Sequence, residues 1–110
     1  MYRAYRTGLR SLRAGRPAGA ADRAARRALG RRAGRFIHSL GHGVGLEIHE
    51  GPRLHGSVRS PIPTGALVTV EPGIYEPGWG GIRLEDTVLV GRAGIRSLTG
   101  APPPVLESVP

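Results

Sequence analysis

The stretch HSLGHGVGLEIHEGP, residues 38–52, combines three histidines and two glutamates with four glycines. Side chains that bind protons and metal ions therefore lie beside bare backbone, which other groups can approach closely. A solvated loop and a metal site can both have this composition. The surrounding sequence has to distinguish between them.

The spacing of apolar residues changes along the chain from a helical to a strand-like period. Residues 2–14 and 20–29 place apolar side chains three and four positions apart, and Gly30 is expected to end the second helix. Apolar and polar residues then alternate in three predicted strands, at residues 44–50, 66–73 and 82–90. The sequence therefore predicts an α+β fold, with two N-terminal helices followed by a mostly antiparallel sheet.

Length and composition favour one small domain. The chain has 110 residues, and we assign residues 1–100 to the domain and the proline-rich residues 101–110 to an extended tail. There is no cysteine, which excludes disulfides and thiolate metal sites. No apolar run approaches the length that crosses a bilayer, so we expect no membrane partner and a cytoplasmic location.

The net charge of +8 comes from arginine alone and is concentrated near the N-terminus. Residues 1–35 carry eleven arginines and one aspartate, whereas residues 36–110 carry five arginines and seven acids. Nucleic-acid binding by the arginine-rich helices is one hypothesis, although the sequence has no base-reading motif. The histidine-rich segment is mildly acidic, which suits a cation better than a phosphate, and we expect no nucleic-acid partner.

Two of the predicted strands carry carboxylates on the face opposite their valines and leucines. If both faces of the sheet are covered, Glu71 and Glu85 lie inside, where unpaired carboxylates are costly. A divalent cation would remove this cost, and carboxylates with an imidazole suit manganese, cobalt, iron or zinc. Solvated strand ends, or pairing of Glu85 with Arg83, would explain the same residues without a metal. His38 and His42 have a helical chelating spacing, but the glycines around them oppose a helix.

Three motifs together resemble the second half of the pita-bread metallopeptidases. They are residues 38–52, VTVEPGIY at 68–75 and GGIRLEDTVLV at 80–90. This superfamily includes Xaa-Pro aminopeptidases, Xaa-Pro dipeptidases (prolidases) and methionine aminopeptidases. VEPGIY and GIRLED are similar to the proline-peptidase branch, since methionine aminopeptidases usually have Met where this chain has Gly73. The resemblance implies half of a pita-bread fold over residues 1–100.

The resemblance also implies roles for particular side chains. His42 matches a metal ligand, and Glu85 matches the carboxylate that bridges two metals. Glu71 matches a glutamate that binds metal and acts as a catalytic general base or proton shuttle. His38 and His49 match catalytic histidines that bind the substrate carbonyl and stabilise its developing negative charge.

The implied activity is metal-dependent hydrolysis of N-terminal Xaa-Pro bonds in peptides with proline at the second position. Arg83 matches an arginine that supports the substrate-binding site beside its glutamate. A complete site in the family holds two divalent ions, for which manganese is the first expectation and cobalt, zinc or iron are alternatives.

One part of the family's metal site has no counterpart in this sequence. The family uses five ligands, two of them aspartates, whereas the two aspartates here, Asp22 and Asp86, do not match those positions. We therefore expect a C-terminal fragment with an incomplete dinuclear site, marginal stability and little peptidase activity. Such a chain would form homo-oligomers or pair with an N-terminal half. A non-catalytic binding module derived from the same fold is the alternative.

Overall fold

A computed structural model describes residues 1–100 and contains two α-helices at its N-terminus. Helix α1 spans Tyr2–Ser11, helix α2 spans Gly19–Leu29, and a 3₁₀ helix follows at Gly30–Arg35. Gly30 adopts a positive φ of 57°, so the predicted end of the second helix is confirmed. No helix within residues 1–100 is both long enough and apolar enough to cross a membrane. The predicted tail at 101–110 lies outside the described residues.

Within residues 1–100, seven strands follow the helices. They are β1 (Gly41–Gly43), β2 (Glu50–Leu54), β3 (Ala66–Val70), β4 (Gly73–Glu76), β5 (Gly80–Arg83), β6 (Asp86–Val90) and β7 (Ile95–Ser97). Five of them form one sheet in the order β2-β1-β3-β6-β7, and every neighbouring pair is antiparallel. Strands β4 and β5 form a separate antiparallel hairpin. The predicted α+β architecture, helices first and an antiparallel sheet after them, is confirmed.

The core lies where the helices pack on the central strands of the five-stranded sheet. Strands β3 and β6 pair in a register that places Val68 opposite Val88 and Ala66 opposite Val90. Burial of each such valine stabilises the fold by roughly 1.5 kcal/mol or more. The largest fully buried apolar side chains are Tyr5, Leu12, Phe36, Leu40, Leu54, Ile62, Val68, Val70, Val88 and Val90. This core fixes the positions of β1 and β3, which carry the candidate site.

The predicted strand at residues 44–50 is wrong. Strands β1 and β2 pair with each other, with Gly43 opposite Glu50, so the residues between them form the connecting turn. Leu46 and Ile48, which alternate as a strand would, are fully or largely exposed. The alternation had no packing partner, and pairing of the flanking segments determined the structure instead.

Three other predicted boundaries also differ from the structure, the first being the strand predicted at 66–73, which ends at Val70. The strand predicted at 82–90 is divided, because β5 pairs with β4 whereas β6 joins the main sheet. Leu84, at the break, is buried and its N–H bonds to the carbonyl of Pro72 instead of to a neighbouring strand. Helix α1 ends at Ser11 and not at residue 14, and the chain then turns at Gly15 with φ near 79°.

Candidate metal-binding and active site

A pocket of about 640 Å³ opens beside β1, β2 and the β4–β5 hairpin. It brings together most of the side chains that the sequence singles out. Its lining residues are His38, Ser39, His42, His49, Glu50, Gly51, Arg53, Glu71 and Arg83. Glu50 and Arg53 were not predicted as pocket residues. The predicted strand ended at residue 50, whereas in the structure β2 begins there. Glu85 was predicted here and does not line the pocket.

The glycines beside His42 allow strand β1 to fit between its two neighbours. A Cβ atom at Gly41 would overlap the carbonyl oxygen of Thr69 in β3, and one at Gly43 would overlap that of Gly51 in β2. Any side chain at these two positions would push β1 away from an adjacent strand. Bare backbone on both sides of His42 is therefore a packing requirement, and it holds the imidazole close to β3.

His42 turns its Nε2 toward Glu71 in the pocket. Its Nδ1 lies 2.9 Å from the carbonyl oxygen of Gly43, and because a carbonyl can only accept, Nδ1 carries the proton. Nε2 then faces Glu71 Oε1 at 3.3 Å, and both side chains are largely buried. Two acceptors this close repel each other unless a proton or a cation lies between them. A histidine oriented by a backbone carbonyl is also the usual arrangement of a metal ligand, so His42 and Glu71 fit a divalent ion.

Thr69 links these two residues and was missed in the sequence. Its hydroxyl donates to Glu71 Oε1 at 2.9 Å and accepts the backbone N–H of His42 at 3.1 Å. The signal was available, because a residue two positions before Glu71 on a strand points to the same face. The sequence did not show that this face would meet β1 at His42.

His38 is held at the pocket by groups from three parts of the chain. Its Nδ1 lies 2.8 Å from the carbonyl of Ser39, and its Nε2 lies 2.9 Å from the hydroxyl of Tyr75 in β4. Arg26 of helix α2 donates to the carbonyls of Phe36 and His38, which fixes the approach to β1. His38 therefore lines the pocket, and its binding of substrate stays a prediction.

His49 comes from the exposed turn between β1 and β2. Its ring centroid lies 4.2 Å from that of His42, at an interplanar angle of 60°. The structure thus brings His38, His42 and His49 to one pocket, as expected. Because His49 is exposed and on a turn, its ring is open to a ligand entering from solvent.

Arg83 lies between the two glutamates that were predicted as metal ligands. Its Nε is 4.0 Å from Glu71 and 3.4 Å from Glu85. A hydrogen bond with Tyr75 is the largest influence that raises the pKa of Arg83 above its usual value, so the guanidinium is charged. Arg83 balances both carboxylates from the pocket rim.

Glu85 does not lie inside the molecule as predicted. Its side chain is 46% exposed, because the chain leaves β5 at this point before it enters β6. Within residues 1–100, no three His, Asp or Glu side chains come close enough together to hold a metal ion. His42 and Glu71 are therefore together as predicted, whereas Glu85 is separated from them by Arg83.

Comparisons with known proteins agree with this geometry. Residues 1–92 match metallopeptidase family M24. The chain is 56% identical over 64 residues to the Xaa-Pro dipeptidase of Pyrococcus furiosus, an alignment covering 58% of this chain and 18% of that protein. The solved prolidase from Pyrococcus furiosus superposes with a TM-score of 0.86 at 41% identity, covering 91% of this chain and 30% of that one. An X-Pro aminopeptidase from Thermotoga maritima gives a TM-score of 0.84 at 40% identity, covering 90% and 29% of the two chains.

The two structural superpositions cover about nine-tenths of the chain. The chain spans less than a third of the length of each of these relatives. Prolidases are among the structural neighbours, which confirms the half pita-bread fold expected from the motifs. On the match to residues 1–92, the chain belongs to metallopeptidase family M24.

Proposed function

We propose that this chain contributes the histidine- and glutamate-bearing part of a metal-dependent peptidase site that hydrolyses N-terminal Xaa-Pro bonds. The observation that carries the proposal is the 3.3 Å approach of His42 Nε2 to Glu71 Oε1 in a pocket shared with His38, His49 and Arg83. The relatives named Xaa-Pro dipeptidase and X-Pro aminopeptidase supply the substrate class. Peptides with proline at the second position are accordingly the proposed substrates.

His42 and Glu71 would hold a divalent ion, for which their nitrogen and oxygen donors suit manganese, cobalt, iron or zinc. When bound, such an ion polarises a carbonyl and lowers the pKa of a coordinated water. Glu85 would have to turn from Arg83 to become a third ligand, and its half-exposed side chain has the freedom to do so. The second metal of a complete site would need carboxylates from outside this chain.

Glu71 and the other residues of the pocket also have roles that do not depend on the ion. A carboxylate at Glu71, oriented by Thr69, can take and return a proton at the pocket. His49 would donate a hydrogen bond to a substrate carbonyl, and His38, whose ring nitrogens already meet the Ser39 carbonyl and the Tyr75 hydroxyl, would line the substrate side of the pocket. Arg83 would hold Glu71 and Glu85 at the rim by its charge.

Metal binding to the purified chain tests this proposal. We expect isothermal titration with MnCl₂ to show binding that falls by more than about tenfold in His42→Ala, because one of two close ligands is lost. His55→Ala is the matched control, since His55 bonds to Ser57 in a loop and does not line the pocket. Equal affinity in wild type and both variants would contradict the site.

A second candidate, a non-catalytic binding module, is favoured by the lack of a three-ligand cluster among residues 1–100. It predicts a folded chain that binds no manganese. For either candidate we expect little turnover of an Xaa-Pro dipeptide by this chain alone with manganese. Turnover equal to that of a full-length relative would contradict that expectation. Manganese as the native metal, self-association and cytoplasmic location stay predictions from the sequence.

A further inference from the structure

We propose that Thr69 is a positioning residue that holds His42 and Glu71 in the geometry needed to share one ligand. This inference rests on the proposed function, because it concerns the same two side chains. Thr69 itself does not line the pocket, and it acts through the two residues that do.

The direction of both hydrogen bonds follows from the chemistry of a hydroxyl. A threonine hydroxyl has one proton and two lone pairs. The His42 N–H occupies a lone pair at 3.1 Å, and the proton is given to Glu71 Oε1 at 2.9 Å. The carbonyl of His42 is 3.5 Å away, too distant to compete for that proton. One atom therefore fixes the backbone of the imidazole and the oxygen of the carboxylate that faces it.

The position of Thr69 in the sheet makes this contact rigid. Thr69 is only 4% exposed and lies in β3 between β1 and β6. On either side of it, Val68 pairs with Gly43, and the N–H of Glu71 bonds to the carbonyl of Leu40 at 2.7 Å. Between these two backbone connections, the N–H of His42 has a side chain as its acceptor. The local attachment of β1 to β3 at the imidazole therefore depends on the Thr69 hydroxyl.

A purely structural role for Thr69 makes a different prediction. In that case, loss of the hydroxyl would lower the stability of the sheet and leave ligand affinity unchanged. In the positioning role, the carboxylate would lose its orientation even if the sheet stays folded. Partners that orient metal ligands typically affect affinity by about 10- to 100-fold, which is measurable.

The test compares three variants of the full chain. Thr69→Val keeps the side-chain shape and removes the hydroxyl, Thr69→Ser keeps the hydroxyl, and Thr87→Val is the matched control. Thr87 lies directly opposite Thr69 in β6, so the control makes the same change on the same face of the sheet. Manganese affinity is measured by titration calorimetry, amide exchange of His42 by NMR, and global stability by urea unfolding. If Thr69→Val does not fold, Thr69→Ala replaces it in the same measurements.

We expect Thr69→Val to weaken manganese binding at least about tenfold and to speed exchange of the His42 amide. Thr69→Ser and Thr87→Val should bind like the wild type. Unchanged affinity in a folded Thr69→Val, or an equal loss in Thr87→Val, would overturn the proposal.

Failure of the proposed function would look different. If the wild-type chain binds no manganese, the metal site is refuted and the His42 amide decides the question about Thr69. Faster exchange at His42 alone, with the amides of Val68 and Val70 unchanged, would still support positioning. Unchanged exchange at His42 would overturn it.

Discussion

Asp86, at the start of β6, and Glu71, just after the end of β3, differ in how the protein compensates their negative charge. Asp86 is 1% exposed and accepts hydrogen bonds from three hydroxyls, those of Tyr5 at 2.9 Å, Ser97 at 2.9 Å and Thr99 at 2.6 Å. Glu71 accepts from one hydroxyl and faces the imidazole nitrogen of His42. The Asp86 carboxylate thus accepts hydrogen bonds from three protein donors, whereas the Glu71 carboxylate accepts from one.

Asp22 belongs with Asp86. It is 1% exposed and accepts from Arg26 and from the backbone amides of Leu40 and Gly56, so it ties helix α2 to the approach to β1. The expectation that neither aspartate is a metal ligand agrees with these contacts. A buried acid whose acceptors are all occupied stabilises the fold, whereas one that faces another acceptor across a pocket is suited to bind a cation.

The largest effect on stability is expected from removing a buried carboxylate whose acceptors are all occupied. Asp22→Ala leaves the backbone amides of Leu40 and Gly56 and the Nε–H of the partly buried Arg26 without their acceptor, so the free energy of unfolding should fall by about 3–5 kcal/mol. Urea unfolding followed by circular dichroism measures this. Arg27→Ala, an exposed change on the same helix, should cost little. A loss below about 1 kcal/mol for Asp22→Ala would show that closure of this acid is not structural.

A smaller effect is expected from Tyr5→Phe, which removes one donor from Asp86. Hydrogen bonds to charged groups contribute about 1.5–3 kcal/mol, and the free energy of unfolding at neutral pH should fall by that order. Burial, and then the hydrogen bond to Asp86, raises the pKa of Tyr5 well above its usual value. Since the folded pKa exceeds the unfolded one, near 10, this contribution is complete below about pH 10 and is lost as the pH rises further.

The pH dependence gives the control. Wild type should lose stability above about pH 10 more steeply than Tyr5→Phe, because only the wild type must ionise Tyr5 on unfolding. Tyr2→Phe, a neighbouring change that leaves the Asp86 contact intact, should keep the wild-type slope. Equal slopes in all three proteins would mean that Tyr5 is not held neutral by the fold.

The sequence predicted the elements whose local pattern agrees with their packing. Helix α2 and the buried faces of β3 and β6 follow from periodicity, because their apolar residues meet the core. Residues 44–50 have the same alternation and no partner, so the pattern alone could not exclude a strand. Pairing of β1 with β2 depends on contacts between segments, which periodicity does not encode.

The site was predictable to a similar extent. The family motifs identified His42, and strand parity together with those motifs identified Glu71; the structure places the two together. The same parity placed Glu85 with them. Because the strand is interrupted between β5 and β6, the alternation of faces does not continue through Glu85, and its side chain is half-exposed. The contribution of Thr69 depends on where β1 lies against β3. That close approach is possible because Gly41 and Gly43 have no Cβ atom that would overlap the neighbouring strands.

The smallest change in stability is expected at Glu71. Comparing amide substitutions at Glu71 and Asp86 tests most directly whether the two carboxylates differ in their hydrogen bonding. Glu71→Gln keeps an oxygen to accept from Thr69 and adds an N–H that can donate to His42 Nε2, so the free energy of unfolding should change by less than about 1 kcal/mol. Asp86→Asn is the matched amide substitution. It turns an N–H toward hydroxyls that already donate, and should cost about 1–3 kcal/mol. Urea unfolding of both variants, with manganese titration of Glu71→Gln, measures the difference. If both amides cost the same, the hydrogen bonding of Glu71 is as complete as that of Asp86; if only Glu71→Gln is neutral and also loses manganese, the metal requires the carboxylate charge of Glu71.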